Sequence, residues 1–295
     1  MSITRITSSF ILIITAVQLG WSQLPATELF MINYSNVDTQ FNLKKVSYLS
    51  GFNPLGYNNQ PTFIGLDQLY ISSDVYSVGV PEVIKLDLYD ETLQRITMSE
   101  ESDFSPSPLP RGQGLSTVRI ETDGVTQTLW AYNDRDFNTG ARILEDIANI
   151  GYYKWLSDDE LAMFLLPEPF TLSLGNITTG QTRSVIDNIG RCMMQDDKGR
   201  LLFTHNINDT LSYIKSYDVE NNKIEVVCQA LQGSQDYVTI PGGAFLMAKQ
   251  GQIYYFQPDI STSWTEVLDL TEYGITDITR LAYSRGRLVL VNTKQ

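Results

Sequence analysis

Short runs of apolar residues recur along this chain at a nearly constant interval, and each run follows a cluster of turn-forming residues. These clusters contain glycine, aspartate, proline or serine, which favour tight turns between adjacent antiparallel strands. The runs lie at residues 68–72, 115–120, 161–166, 201–204, 244–248 and 287–291. Marker residues in successive runs are 48, 44, 40, 44 and 42 positions apart: Tyr70, Val118, Ala162, Leu202, Leu246 and Leu288. Self-similarity at this period indicates a repeat architecture.

Each apolar run is followed by two further segments with strand-like patterns. In the first repeat these are residues 82–88 and 93–97, and in the fourth they are residues 212–218 and 223–228. Four strands in a unit of about 44 residues are the signature of a β-propeller blade. No long amphipathic helical pattern interrupts the repeats, which excludes a parallel βαβ domain. The sequence therefore predicts an all-β fold, a six-bladed β-propeller with four-stranded antiparallel blades.

The sixth repeat ends at Gln295, directly after its second strand. Two strand-like segments near the other end of the chain, residues 27–33 and 41–47, have the length and spacing of the missing outer strands. Pairing them beside residues 278–293 would close the ring and would remove two exposed sheet edges. We therefore expect five continuous blades and a last blade closed by N-terminal strands.

The first residues have the pattern of a signal peptide. Arg5 precedes an apolar stretch at residues 10–19 that is too short to span a bilayer, and the small residues Gly20 and Ser22 follow it. We expect residues 1–22 to be removed by cleavage near Ser22, leaving residues 23–295 as a single propeller domain. The predicted location is periplasmic or secreted. No later segment is apolar enough to cross a bilayer, so no membrane insertion of the mature chain is expected.

Composition narrows the range of partners. The chain has 295 residues, of which 42% are hydrophobic and 11% aromatic, enough for a sizeable core. It carries 21 Lys and Arg against 34 Asp and Glu, a formal net charge of −13. A surface of this sign repels phosphate backbones and anionic lipids, so nucleic acid is not an expected partner.

Several motifs resemble those of TolB-like six-bladed propellers. Residues 60–63 (Gln-Pro-Thr-Phe) stand ahead of residues 69–74, and residues 102–106 (Ser-Asp-Phe-Ser-Pro) stand ahead of the next apolar run. The resemblance covers residues 27–293. Residues 151–155, 188–191, 233–237 and 278–281 are similar to a narrower group of exported bacterial propellers of unknown function. The resemblance implies the propeller fold, an exported location and a role in binding.

Polar residues recur about ten positions before each apolar run, where each innermost strand would begin. Because innermost strands line the channel of a propeller, we expect these residues to ring one opening and to bind a polar or charged ligand. The alternative is that they only hydrogen-bond to turns and to channel water. The candidate ligand-binding residues are Asn59, Gln60, Glu101, Asp103, Tyr153, Arg191, Asp236, Tyr237 and Arg280.

The sequence offers no set of residues for a common catalytic mechanism. Its single histidine, His205, follows an apolar run and has the position of a packing residue. A Ser-His-Asp set needs a histidine base, and most zinc sites need several histidines or cysteines. We predict no catalytic residues, no resident metal and no cofactor. Likeness to calcium-dependent lactonase propellers keeps one alternative open, in which Asn59, Glu101 and Asp236 surround a calcium ion.

The two cysteines are predicted to be free and buried. Cys192 falls on the innermost strand of the fourth blade and Cys228 on its outermost strand. Three strand spacings separate these positions by about 14 Å, well beyond the reach of a disulfide.

Three hypotheses for function follow. The first is an exported, non-catalytic propeller that binds a protein, peptide or glycan at the channel mouth. The second is a calcium-dependent hydrolase or lactonase. The third is a structural subunit of an envelope assembly.

Overall fold

The computed structural model describes residues 24–37 and 39–294, apart from the side chain of Asn138. These residues form six four-stranded antiparallel sheets. The sheets follow one another as the blades of a propeller, which confirms the predicted fold class. The signal peptide proposed for residues 1–22 lies outside the described part of the chain.

The blades are numbered in chain order, and blade 6 contains both ends of the described chain. Its outer strands are β1 (Thr27–Val37) and β2 (Gln40–Tyr48). Blade 1 comprises β3 (Asn58–Ile64), β4 (Gln68–Ser73), β5 (Glu82–Asp87) and β6 (Thr92–Arg95). Blade 2 comprises β7 (Ser102–Pro108), β8 (Gly114–Ile120), β9 (Gln127–Asn133) and β10 (Asp136–Ile143). Blade 3 comprises β11 (Ile150–Trp155), β12 (Glu160–Leu165), β13 (Thr171–Asn176) and β14 (Thr182–Asp187).

Blade 4 comprises β15 (Ile189–Gln195), β16 (Leu201–Asn208), β17 (Leu211–Asp218) and β18 (Lys223–Gln229). Blade 5 comprises β19 (Tyr237–Ile240), β20 (Ala244–Lys249), β21 (Gln252–Phe256) and β22 (Thr265–Asp269). The inner strands of blade 6 are β23 (Ile278–Ser284) and β24 (Arg287–Thr293). Short 3₁₀ turns at Pro110–Gly112 and Thr271–Tyr273 complete the described elements.

The innermost strands β3, β7, β11, β15, β19 and β23 contact one another in that order, and β23 in turn contacts β3. The ring is therefore closed around a central channel. Because strands within a blade alternate in direction, the connections fall on two faces. We call the face where the innermost strands begin the mouth face. It carries the segments that lead into each innermost strand, such as 49–57, and those joining second to third strands, such as 74–81.

Blade 6 is closed as the sequence predicts. Its strand order is β2-β1-β24-β23, and β1 pairs with β24 from Thr27 opposite Thr293 to Asn33 opposite Arg287. A polar contact locks the start of β1 to blade 1, since the Asn58 backbone N–H donates to Thr27 Oγ1 at 2.9 Å. The N-terminal strands thus supply the third and fourth strands of a blade that the C-terminal repeat begins.

The core lies between the blades. The second strand of each blade is buried on both faces, as in β4, where Leu69 on one face and Tyr70 on the other are both buried. This burial explains why the second strands are continuous apolar runs rather than alternating patterns. The six predicted runs correspond to β4, β8, β12, β16, β20 and β24.

The two cysteines lie on opposite edge strands of blade 4, Cys192 on β15 and Cys228 on β18. Both thiols are free and buried, which confirms the prediction. Burial raises the pKa of each thiol to about 12. Within the described residues no helix is long and apolar enough to cross a membrane.

Candidate functional site in the central channel

Bulges near the start of the innermost strands redirect their side chains. The pairing register shifts between Asn59 and Thr62 in β3 and between Phe104 and Ser107 in β7. Gln60 and Ser105 there have φ angles of 55° and 52°, in the left-handed region that non-glycine residues seldom adopt. The Ser105 backbone N–H donates to Gln60 Oε1 at 2.7 Å, which joins the two bulges. Similar register shifts occur in β11, β15 and β23.

These strands enclose a cavity of about 320 Å³ in the channel. Its wall is contributed by five innermost strands together with Asp236, which directly precedes β19. Its polar and charged lining includes Gln60, Tyr152, Lys154, Arg191, Asp236 and Arg280. Its apolar lining includes Phe63, Met193, Met194 and Leu281. A volume of this size accommodates a small ligand or one end of a larger one.

One end of the polar lining is an ion-paired cluster that links blades 4, 5 and 6. Arg191 Nε lies 2.8 Å from Asp236 Oδ1, and a terminal nitrogen of Arg191 donates to the Thr279 carbonyl oxygen at 2.8 Å. Arg280 Nη1 lies 3.6 Å from the other carboxylate oxygen of Asp236. A single carboxylate therefore stands between two guanidinium groups.

Arg280 also crosses the channel. Its Nη2 donates to the hydroxyl of Tyr152 at 2.7 Å, and its guanidinium carbon lies 5.0 Å from the centre of the Tyr152 ring. Tyr152 belongs to blade 3, which stands opposite blade 6 in the ring. Burial acts to lower the pKa of Arg280, but Asp236 and Tyr152 outweigh it, so the pKa is raised. Arg280 is accordingly a fixed cation near the channel axis.

Lys154 is the third cation of the cavity. It lies two residues beyond Tyr152 on β11 and so faces the same side of the strand. Among the ion pairs of the described residues, none joins Lys154 to a carboxylate. Burial lowers the pKa of Lys154, and the neighbouring Cys192 only partly opposes this effect. Lys154 is therefore a partly buried lysine without a counter-ion among the described residues.

The charges of the cavity do not cancel. Lys154, Arg191 and Arg280 face a single carboxylate, that of Asp236. The lining therefore carries two surplus positive charges, in a chain whose formal net charge is −13. A concave site with this excess attracts anions.

Five of the candidate ligand-binding residues line this cavity, and their role in binding stays a prediction. They are Gln60, Tyr153, Arg191, Asp236 and Arg280. The Tyr153 hydroxyl, however, donates to Ser116 Oγ of blade 2 at 2.8 Å. Its pKa is raised by burial. Tyr153 therefore contributes its ring to the wall more than its hydroxyl.

The expectation that all nine candidates ring one opening is wrong for Glu101 and Asp103. Asp103 is fully buried and receives hydrogen bonds from Arg119 Nε at 3.1 Å and Nη2 at 3.0 Å. Glu101 lies 3.7 Å from the same guanidinium. Arg119 shares a face of β8 with Leu115, which packs in the interface between blades 1 and 2. Both carboxylates therefore pair with the buried Arg119 and do not line the channel cavity.

The expectation is also wrong for Asn59 and Tyr237. Asn59 is buried, and its side-chain oxygen accepts the backbone N–H of Gln60 at 2.8 Å, which supports the bulge. Tyr237 is fully buried in the apolar interface between blades 4 and 5, beside Cys192 and Phe245. Side chains along an innermost strand alternate between the two faces of the blade. A position near the start of the strand therefore does not by itself direct a side chain into the channel.

The arrangement does not favour the calcium site predicted as an alternative. Asp236 is paired with two arginines, Glu101 is paired with Arg119, and Asn59 supports its own turn. The three side chains are thus engaged in three separate sets of contacts. Across residues 24–37 and 39–294, no three His, Cys, Asp or Glu side chains are grouped in a way that could hold a metal ion.

A larger groove of about 790 Å³ lies elsewhere on the mouth face, between the connections of blades 3 and 4. Its polar side chains largely serve their own turns. Asn208, for example, accepts the backbone N–H groups of Thr210 and Leu211 at 3.0 and 2.9 Å. The groove lacks the converging cations of the channel, so we regard the channel as the candidate site.

Comparison with solved structures supports the fold assignment. A protein described as TolB from Agrobacterium tumefaciens superposes with a TM-score of 0.68 at 9% identity, over 92% of this chain and 99% of that one. The fold is that of the TolB-like propellers. TolB from Acinetobacter baumannii gives a TM-score of 0.56 at 9% identity, over 91% of this chain and 64% of that one.

The propeller fold also matches part of the structure of an enzyme. A puromycin-hydrolysing peptidase from Mycobacterium tuberculosis gives a TM-score of 0.55 at 10% identity, over 81% of this chain. The chain spans only 43% of that peptidase. No protein-family model and no curated protein matches the sequence. At these identities the likeness establishes a shared fold, and function has to be argued from the site.

Proposed function

We propose that this chain is an exported, non-catalytic propeller that binds a protein or peptide through its mouth face, with the channel cavity receiving one end or side chain of the ligand. The observation that carries the proposal is the convergence of Lys154, Arg191 and Arg280 on one cavity with a single carboxylate among them. Export is proposed from the signal-peptide pattern at residues 1–22.

Exposed apolar residues on the mouth face support a polypeptide ligand. Leu55 and Val78 are 84% and 88% exposed on the connections that lead into β3 and join β4 to β5. Met98, on the connection leading into β7, is also exposed. The first two connections are held together at Asp74, which accepts hydrogen bonds from Asn53 at 2.8 Å and from the Gly79 backbone at 3.1 Å. Exposed apolar side chains gathered on one face are a common feature of protein-binding surfaces.

Site-specific photo-crosslinking in the native host tests this proposal. A photoreactive residue is introduced at Leu55 on the mouth face and, as the matched control, at Ile260 on the opposite face. Both positions carry aliphatic side chains of similar exposure, 84% and 78%. We expect a discrete polypeptide adduct from position 55 and none from position 260, with mass spectrometry identifying the partner.

Either of two results would contradict the proposal. Equal adducts from both positions would mean that the mouth face is not selective. If neither position 55 nor a second mouth-face position, Val78, gave a polypeptide adduct, the ligand would not be a protein or peptide.

A further inference from the structure

We infer that the channel cavity is a carboxylate-binding site, in which Lys154 and Arg280 hold an anionic group presented by the ligand. This inference rests on the proposed function and narrows it, since it specifies the chemical group that the bound polypeptide carries into the channel.

The first step is the state of Lys154. Lys154 lines the cavity, is partly buried, and has no carboxylate partner in the described chain. Burying a charge without a partner is costly, so such groups are usually paired or neutralised. An anion bound in the cavity would supply the missing partner.

The second step is the state of Arg280. A guanidinium has five N–H donors. Contacts of Arg280 to described residues engage Asp236 and the Tyr152 hydroxyl. The contact to Asp236 is long, at 3.6 Å, because Asp236 makes its shorter contact of 2.8 Å with Arg191. Arg280 therefore retains donors and charge for a further anion.

The third step is the spacing of the two cations. Lys154 lies two residues beyond Tyr152 on β11, a rise of about 7 Å along the strand. Tyr152 in turn fixes the guanidinium of Arg280. The two oxygens of a carboxylate can accept hydrogen bonds from two separate donors. Both cations line the same cavity, so we expect a carboxylate bound there to accept hydrogen bonds from each of them.

The fourth step is the choice of a carboxylate over a larger anion. The cavity of about 320 Å³ is too small for a polymeric anion such as a nucleic acid, and the net charge of −13 opposes the approach of one. The apolar wall formed by Phe63, Met193 and Met194 suits the carbon atoms that carry the carboxylate. A chain terminus and an acidic side chain both present this chemistry.

Three short peptides test the inference. The first is acetyl-Gly-Ala-Leu with a free terminal carboxylate, the second is its C-terminal amide, and the third is acetyl-Gly-Glu-Leu amide. Each is titrated to millimolar concentration against the mature protein and followed by backbone amide chemical shifts of residues 152–155. The first and third peptides distinguish a chain terminus from an acidic side chain.

The variants are K154M and, as the control, R111A. Methionine keeps the length and apolar stem of lysine and removes a desolvated charge, so K154M is expected to fold. Arg111 is exposed on the opposite face, where it pairs with Asp158. We expect at least one acidic peptide to bind at least about tenfold more tightly than the neutral amide, which is about 1.4 kcal/mol. K154M should lose that preference and R111A should keep it.

Three results would overturn the inference: equal binding of the neutral amide, an undiminished preference in K154M, or no shift change at residues 152–155 with any peptide. None of these results decides the proposed function, because the crosslinking comparison uses the native partner and positions outside the cavity. A selective adduct at position 55 without carboxylate preference would leave the binding role standing and remove only the assigned ligand group.

Discussion

The position of Arg280 depends on contacts with two other blades. Asp236, which precedes the innermost strand of blade 5, lies 3.6 Å from one terminal nitrogen, and Tyr152 of blade 3 accepts a hydrogen bond of 2.7 Å from the other. Hydrogen bonds to charged groups contribute more to stability than neutral ones. The Tyr152 hydroxyl should therefore matter both to stability and to the geometry of the cavity.

Removing that hydroxyl alone gives a direct test. In Y152F the ring that lies under the Arg280 guanidinium is kept, and only the hydrogen bond is lost. We expect the free energy of unfolding to fall by about 1.5 kcal/mol, measured by urea denaturation.

The control is Y254F, which removes an exposed hydroxyl that donates to Glu266 at 3.4 Å. A change within about 0.5 kcal/mol is expected there, as for most surface substitutions. Equal effects of the two variants would show that Arg280 does not rely on Tyr152.

Individual residue environments were the least predictable part from sequence. The polar positions that begin the innermost strands were identified, and Arg191, Asp236 and Arg280 do converge. Asp103 is an acidic residue near the start of an innermost strand, as expected of a channel residue. Its hydrogen bonds with Arg119 on the neighbouring strand instead hold it in a blade interface. Lys154 was within a predicted segment, yet its lack of a counter-ion depends on contacts between blades that one sequence does not reveal.

At the level of single elements, β1 connects its own blade to the two neighbouring blades. Its residues Leu29 and Ile32 are fully buried on opposite sides of blade 6. Leu29 packs with residues of blade 1, such as Leu69, and Ile32 packs with residues of blade 5, such as Leu246. One strand from the N-terminal end thus seals two blade interfaces.

Truncation of Leu29 tests this role. Because the side chain is fully buried between two blades, L29A should leave a cavity and lower the free energy of unfolding by about 2–5 kcal/mol. The comparison is V37A in the same strand, where the side chain is 71% exposed and a loss below about 1 kcal/mol is expected. Thermal and urea unfolding of both variants provides the measurement. Similar small losses would mean that β1 does not close the ring.

Strand positions followed well from the sequence because each second strand is buried on both faces and each turn is rich in glycine or aspartate. The composite blade followed from the same pattern, since an incomplete last repeat requires outer strands from elsewhere. The bulges did not follow. Gln60 and Ser105 adopt positive φ angles without being glycine, so composition gave no signal for the redirected strands.

At the scale of the whole molecule, charge is distributed unevenly. The chain carries a formal net charge of −13, yet its channel cavity holds three cations and one carboxylate. The acidic surface was evident from composition, whereas the positive cavity required the ring to bring blades 3, 4 and 6 together. The acidic surface repels polyanions, whereas the positive cavity attracts a small anionic group. The charge distribution therefore favours binding of a small anionic group carried by an otherwise neutral or basic partner.

The lowered pKa of Lys154 has a definite consequence for stability. Because the folded pKa lies below the ordinary value of 10.5, the unfolded chain binds more protons in the interval between them. The contribution of Lys154 to the free energy of unfolding therefore rises with pH through that interval. As pH falls, this gain is lost between the unfolded and the folded pKa, and no further change occurs below the folded pKa. The other titratable or charged groups that line its cavity are Tyr152, Tyr153, Arg191, Cys192, Asp236, Arg280 and Tyr283.

The most direct test of the account is the pKa of Lys154, measured by NMR titration of ¹³C-labelled lysine and assigned by comparison with K154M. We predict a value below 10.5 in the free protein, because burial disfavours the ammonium. The value should rise when a carboxylate peptide is bound, because an anion favours the charged form. An ordinary lysine pKa that the peptide leaves unchanged would contradict the claim that the channel holds an uncompensated cation for an anionic ligand.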